Sequence, residues 1–232
     1  MGQDCGPLQF VRELMQNSIE AILRTPDTTG DVIWGVEWNM LELQDVFKLS
    51  ITDSGDGMTG SEMEQYVNKL SSSFSEQSYE GNYGVGAKIS TVTRNPQGMV
   101  YLSWKAGEGY YAHMWKDPDT GDYGLKQIER PDGSFGHWGR MSDDLKPPCI
   151  GEHGTMVVLL GVADDDNTIA APDGAPSPSR WISKYLNARY FCPPSPRNHR
   201  ARSRRMGEPA RRSRSEPSPN DRGTERRSGS SR

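Results

Sequence analysis

The chain lacks any apolar run approaching the roughly 20 residues that span a bilayer. Its N-terminus also lacks the basic-then-apolar layout of a secretory leader. A soluble cytoplasmic protein with no membrane partner is the expectation. Cysteine is scarce: Cys5, Cys149 and Cys192 are an odd, scattered set that fits neither a zinc spacing nor a disulfide framework. Reduced thiols suit that pattern. Hydrophobic residues make up only 33% of the 232. The length is enough for one good-sized core or two small ones, and the low hydrophobic content leaves part of the chain unpacked.

Lysine is absent from residues 193–232, where 12 Arg face 4 acidic residues, a balance of +8. The whole chain is −4, so residues 1–192 carry −12. An acidic globular body, 1–192, is therefore joined to a basic tail, 193–232, rich in Arg, Ser and Pro. Such a composition cannot bury enough apolar surface to fold alone, and disorder is the expectation. A nucleic-acid-binding arm, a protein-binding arm or a solvated linker would each fit it. So would a truncated or shifted reading frame, which the abrupt loss of hydrophobic pattern after Phe191 favours.

The body reads as alternating elements without internal repeats. Leu8, Val11, Leu14, Met15, Ile19, Ile22 and Leu23 recur at helical spacing, which predicts a helix over Pro7–Thr25. Asp31–Asn39 and Val46–Asp53 lean to strand, and Ser61–Leu70 to a second helix. Ser71–Tyr83 is polar and serine-rich and reads as a mobile loop, followed by a short helix from about Val85 to Arg94. Met99–Trp104, Tyr110–Trp115 and Tyr123–Ile128 read as antiparallel strands. Thr155–Leu160 reads as a buried strand, Asp164–Ser179 as a loop and Arg180–Tyr190 as a last helix. The fold class is α+β, with helices on one face of a mixed, mostly antiparallel sheet.

Three short motifs stand in order along this framework. Glu13 and Asn17 are four apart and share a helix face. An amide oxygen there can ligate Mg²⁺, and a carboxylate one turn away can orient or deprotonate water. Both residue types also occur on ordinary helix surfaces. Asp53-Ser54-Gly55-Asp56-Gly57-Met58 leaves a strand and enters a glycine turn. An acid there can accept from the exocyclic amine of adenine, where guanine offers a carbonyl. Gly55 and Gly57 let backbone approach a flat ring, although Asp-Gly pairs are common in surface turns. A calcium loop fails because Gly55 takes the place of Asp or Asn at the third position. Gly84-Val85-Gly86-Ala87-Lys88 precedes a helix start, where backbone N–H groups and the helix end favour phosphate. Lys88 adds a point charge. A P-loop fails on spacing, since Ala87 intervenes and Ile89 follows; a protein-kinase loop fails because no glycine stands three positions after Gly86. Gly154-Thr155 opens the late strand, where the Thr155 hydroxyl can reach the carboxylate or a bound water.

This set resembles the GHKL ATPases, the superfamily of gyrase B, heat-shock-90 chaperones, sensor histidine kinases and MutL. Glu13…Asn17 resembles its N box. Asp53-x-Gly55-x-Gly57 and Gly84-x-Gly86-x-Lys88 resemble its two glycine boxes, and Gly154-Thr155 its late Gly-Thr element. The match runs over roughly residues 8–162 and is nearest the heat-shock-90-like and MORC-like branch. The resemblance implies a two-layer α/β sandwich, the Bergerat-type ATP-binding fold, with ATP and Mg²⁺ as cofactors and Ser71–Tyr83 as a lid. It implies Asn17 on the metal, Asp53 on the adenine amine and Glu13 as general base. Gly55, Gly57, Met58 and Thr155 would line the base, and Gly84, Val85, Gly86 and Lys88 the phosphates. Nucleotide-driven lid closure and a homodimer are also implied. Glu13, and the lack of a phosphoacceptor-type histidine helix, favour hydrolysis over kinase activity. Glu20 stands where many relatives carry Asp, few residues precede the first helix, and no transducer-like domain follows. Slow turnover, or dependence on a partner, is the expectation. The alternative is a non-catalytic ATP-gated binding module.

Overall fold

The computed structural model describes residues 6, 8–66, 91–130, 132–175, 177–190 and 200–203. Helix α1 spans Gln9–Leu23 and buries the stripe Phe10, Val11, Leu14, Met15, Ser18, Ala21 and Ile22. It stops where the Thr25 hydroxyl donates to the Ile22 carbonyl at 2.7 Å, ahead of Pro26. Strands β1 (Asp31–Val36) and β2 (Leu49–Asp53) flank a short helix, α2 (Trp38–Gln44). Next come β3 (Met99–Lys105), β4 (Glu108–Lys116), β5 (Tyr123–Leu125), β6 (Ile128–Glu129), β7 (Phe135–Gly136) and β8 (Gly139–Met141). β9 (Gly154–Leu159), helix α3 (Trp181–Tyr190) and β10 (Arg200–Ser203) complete the order. Residues 60–66 and 91–94 are also helical.

The main sheet runs β10-β1-β2-β9-β3-β4-β5, with β8 added on β4, and β6 pairs with β7 apart from it. All pairings are antiparallel except β10 on β1. The architecture is α+β, as the apolar periodicities suggest. Because strand side chains alternate between faces, the register stacks residues in rows on one face. One row is Trp34, Ile51, Val157, Tyr101 and Ala112 across β1, β2, β9, β3 and β4. These join Phe10, Leu14, Met15 and Ile22 of α1, and Trp181, Ile182 and Leu186 of α3, in a single apolar cluster that also takes in Met63 and Val92. On the other face Trp104, Met156 and Val158 pack with Ile150 from the β8–β9 connection.

Several elements differ from the periodicity reading. The predicted strand Asp31–Asn39 ends at Val36, because Glu37 caps α2 by accepting from Asn39 N–H at 3.2 Å and from Met40 N–H at 2.5 Å. The predicted strand Tyr123–Ile128 divides into β5 and β6, since β6 leaves the main sheet to pair with β7. In the basic tail Arg200–Ser203 forms β10, where disorder was expected; strand pairing is made by backbone and needs no apolar side chain. The rest of 193–232, and the whole of the predicted lid at 71–83, lie outside the described residues.

Lys48 shows how the far end of the sheet is fastened. It is 1% exposed, and its ammonium donates to the carbonyls of Leu160 at 2.6 Å, Ala163 at 3.1 Å and Asp166 at 2.8 Å. Burial pulls its pKa down, and Asp166, Asp164 and Asp165 oppose that. Lys48→Met leaves buried carbonyls without donors and is expected to cost about 3 kcal/mol in urea unfolding. An unchanged midpoint would contradict the clamp.

Candidate functional site

The sheet row at the other end of β2 is polar. Asp53 pairs in register with Val32 on β1 and Thr155 on β9, and Thr155 pairs with Ser103 on β3. Strand alternation places all three polar residues on the helix-facing side, two positions beyond the apolar row of Ile51, Val157 and Tyr101. All three are buried. A row of buried hydroxyls and a carboxylate next to a dry core is costly unless its hydrogen bonds are satisfied.

Asp53 is 6% exposed. Its Oδ1 accepts from Gly55 N–H at 2.9 Å. Ser18 on α1 and Thr155 on β9 also bear on the carboxylate and help hold its charge. Burial is the largest influence and pushes the carboxyl up to about 6; Gly55 and Ser18 pull it down, Asp56 raises it and Thr155 pulls it down. A carboxylate offers about four acceptor positions, and the Gly55 N–H takes one of them, which leaves acceptor capacity for a further donor. That is the need of an exocyclic amine.

The turn after β2 is locked onto its surroundings. A Cβ on Gly55 would lie 2.5 Å from Ala21 Cβ, and one on Gly57, where φ is +63°, would lie 1.9 Å from the Trp104 carbonyl oxygen. Both positions require glycine for close approach, and Gly57 also for its left-handed backbone. Asp56 N–H donates to the Ala21 carbonyl at 3.2 Å, and Arg24 grips Asp56 through two bonds, at 2.8 and 3.0 Å. His153 donates from Nδ1 to the Gly55 carbonyl at 2.5 Å. Met58 N–H donates to Ser103 Oγ at 2.8 Å. The turn therefore touches α1, β3 and the start of β9 at once.

Glu13 and Asn17 lie half-buried on α1, with Asn17 one residue before the buried Ser18. The Glu13 carboxylate is held by the neighbouring Arg12 guanidinium. The Asn17 amide makes no hydrogen bond to the described residues, so its oxygen is available on that side. Asp53, Gly55, Gly57, Met58 and Thr155 come together with α1. Gly84, Val85, Gly86 and Lys88 lie outside the described residues. Among the described residues no group of three or more His, Cys, Asp or Glu side chains could hold a metal ion. Magnesium shared between an amide and nucleotide phosphates needs no such group.

Ser18, Ser103 and His153 escape the motif reading. Ser18 is adjacent to Asn17 and could have been found from the helical repeat, since it falls on the buried stripe. Ser103 and His153 join the site through register and turn geometry alone. No helix among the described residues is long and apolar enough to cross a membrane. No protein-family model matches the chain, and no curated protein matches it.

Proposed function

We propose that the chain is a GHKL-type ATP-binding domain of the Bergerat fold, and a Mg²⁺-dependent ATP hydrolase. One observation carries the reading: a buried carboxylate, Asp53, ends a central strand beneath α1 in a polar row with Thr155 and Ser103, and accepts from the N–H of Gly55 in the glycine turn. Above about pH 6 Asp53 is ionised and acts only as an acceptor, so it takes an adenine amine and repels the guanine carbonyl. Asn17 would hold Mg²⁺ through its amide oxygen, and Glu13, one turn away, would take the proton of water. The bound nucleotide supplies the phosphoanhydride, and the metal offsets charge on its phosphates. Gly55 and Gly57 let the turn close on Ala21 and on the Trp104 carbonyl, which fixes the turn beside Asp53, and burial of the row excludes competing water. Nucleotide-driven lid closure and dimerisation follow from the same reading.

Calorimetric titration with ATP and GTP, each with and without Mg²⁺, tests it. ATP is expected to bind at least about 100-fold more tightly than GTP, and Mg²⁺ to strengthen ATP binding in the parent but not in Asn17→Ala. Equal affinity for the two bases, or no binding of ATP, would refute the assignment.

A further inference from the structure

The end of the sheet opposite Asp53 carries an apolar surface that the nucleotide reading does not use. Val36, at the end of β1, pairs with Leu49, at the start of β2, so α2 and the turn after it close that end. No residue of α2 is buried. Trp38, Leu43 and Phe47 are exposed there, Leu43 at 82%, and so are the carboxylates of Glu42 and Asp45 beside them. Aromatic faces next to carboxylates suit guanidinium groups, which stack on the one and pair with the other. Strand β10 supplies a direction. It runs parallel to β1, with Arg200 opposite Asp31 and its last residue, Ser203, opposite Trp34. The chain leaving β10 is therefore aimed along β1 toward α2, whose first residue, Trp38, stands four after Trp34. The nine residues that follow, 204–212, hold four Arg and one Glu, a balance of 4 − 1 = +3, against −12 for residues 1–192.

We propose that the exposed face of α2 is the docking surface for residues 204–212 of the same chain. Backbone pairing of β10 delivers the segment. Its arginines meet Trp38, Phe47 and the two carboxylates, and Met206 meets Leu43. The reach is sufficient: at about 3.3 Å per residue, residues 206–212 extend about 23 Å, against about 10 Å for the seven residues of α2. Delivery by β10 makes the encounter intramolecular, so contacts that are individually weak hold the segment. The surface lies at the other end of β2 from Asp53, and the proposal does not depend on nucleotide binding.

Limited trypsin digestion of the full chain, read by mass spectrometry, tests it. Cleavage after Arg211 and Arg212 is compared with cleavage after Arg226 and Arg227, further along the same tail. In low salt the first pair is expected to be cut about 10-fold more slowly than the second, because trypsin takes only the undocked segment. Trp38→Ala combined with Leu43→Ser should bring the two pairs to within about threefold. Glu42→Gln combined with Asp45→Asn should do the same; asparagine tolerates the left-handed backbone of Asp45. Equal cleavage of the two pairs in the parent overturns the proposal. So does a protection that both α2 variants leave unchanged, which would belong to β10 alone. Protection that vanishes on dilution would place the segment on a second copy and overturn the assignment to the same chain. If the variants do not fold, a salt series on the parent carries the test: protection should weaken as salt screens the carboxylates, and protection indifferent to salt overturns the docking.

Discussion

Asp53→Asn is expected to abolish base recognition while flattening the dependence of stability on pH. The carboxyl stands at about 6 in the fold against an ordinary 3.8, chiefly because burial penalises its charge. The folded state therefore binds the proton more tightly than the unfolded chain. The stability from neutral Asp53 is complete below about pH 3.8 and is lost as pH rises through about 6. A shift of that size corresponds to about 3 kcal/mol between pH 4 and pH 8. The asparagine variant has no proton to exchange there, so the parent-minus-variant difference in unfolding free energy should fall by that amount across the window. Taking the difference removes other titrating groups, such as Glu62, whose carboxyl is held low first by Lys105. The amide can keep the bond from Gly55 N–H through its oxygen. Its nitrogen meets the adenine amine donor to donor, and ATP affinity should drop about 100-fold. A parallel pH profile for the two proteins would contradict the buried charge, and unchanged ATP affinity would contradict its role.

Glu13→Ala should separate binding from chemistry. Glu13 lies half-buried on one side of α1 with Asn17 and is absent from the polar row around Asp53. ATP affinity should stay within a few-fold of the parent, whereas phosphate release under single-turnover conditions should slow by about 10²- to 10⁴-fold, the usual worth of a positioned general base. Removing Glu13 also releases Arg12, which pairs with it in the structure. Glu13→Gln, which keeps a side chain for Arg12 to contact, should be as slow as the alanine variant if the missing function is proton acceptance. Parental phosphate release in both variants would remove Glu13 from the mechanism.

The helices and strands legible in the sequence are those whose one buried side imposes a period. α1 shows it because its stripe from Phe10 to Ile22 fills the cluster that β1, β2, β3, β4 and β9 line. α2 leaves no such trace: none of its residues is buried, so only the Glu37 cap and the left-handed Asp45 mark its ends. Lys48 reads as an ordinary surface lysine at a strand start. Its carbonyl partners come from more than a hundred residues later in the chain, and no local pattern announces them. The same holds for the candidate site. Asp53 and its glycines announce themselves through residue type and spacing. Ser103 becomes part of the site only because β9 sets Thr155 between it and Asp53. Motif reading finds groups carried on one turn of chain, and strand register decides which distant hydroxyls join them.

The most direct measurement is a crystal structure of the protein with Mg²⁺ and a non-hydrolysable ATP analogue. The account predicts the exocyclic amine of the base within hydrogen-bond distance of the Asp53 carboxylate, about 2.7–3.2 Å, with the ring edge turned toward Thr155. A nucleotide seated elsewhere, or an adenine whose amine faces away from Asp53, would contradict it.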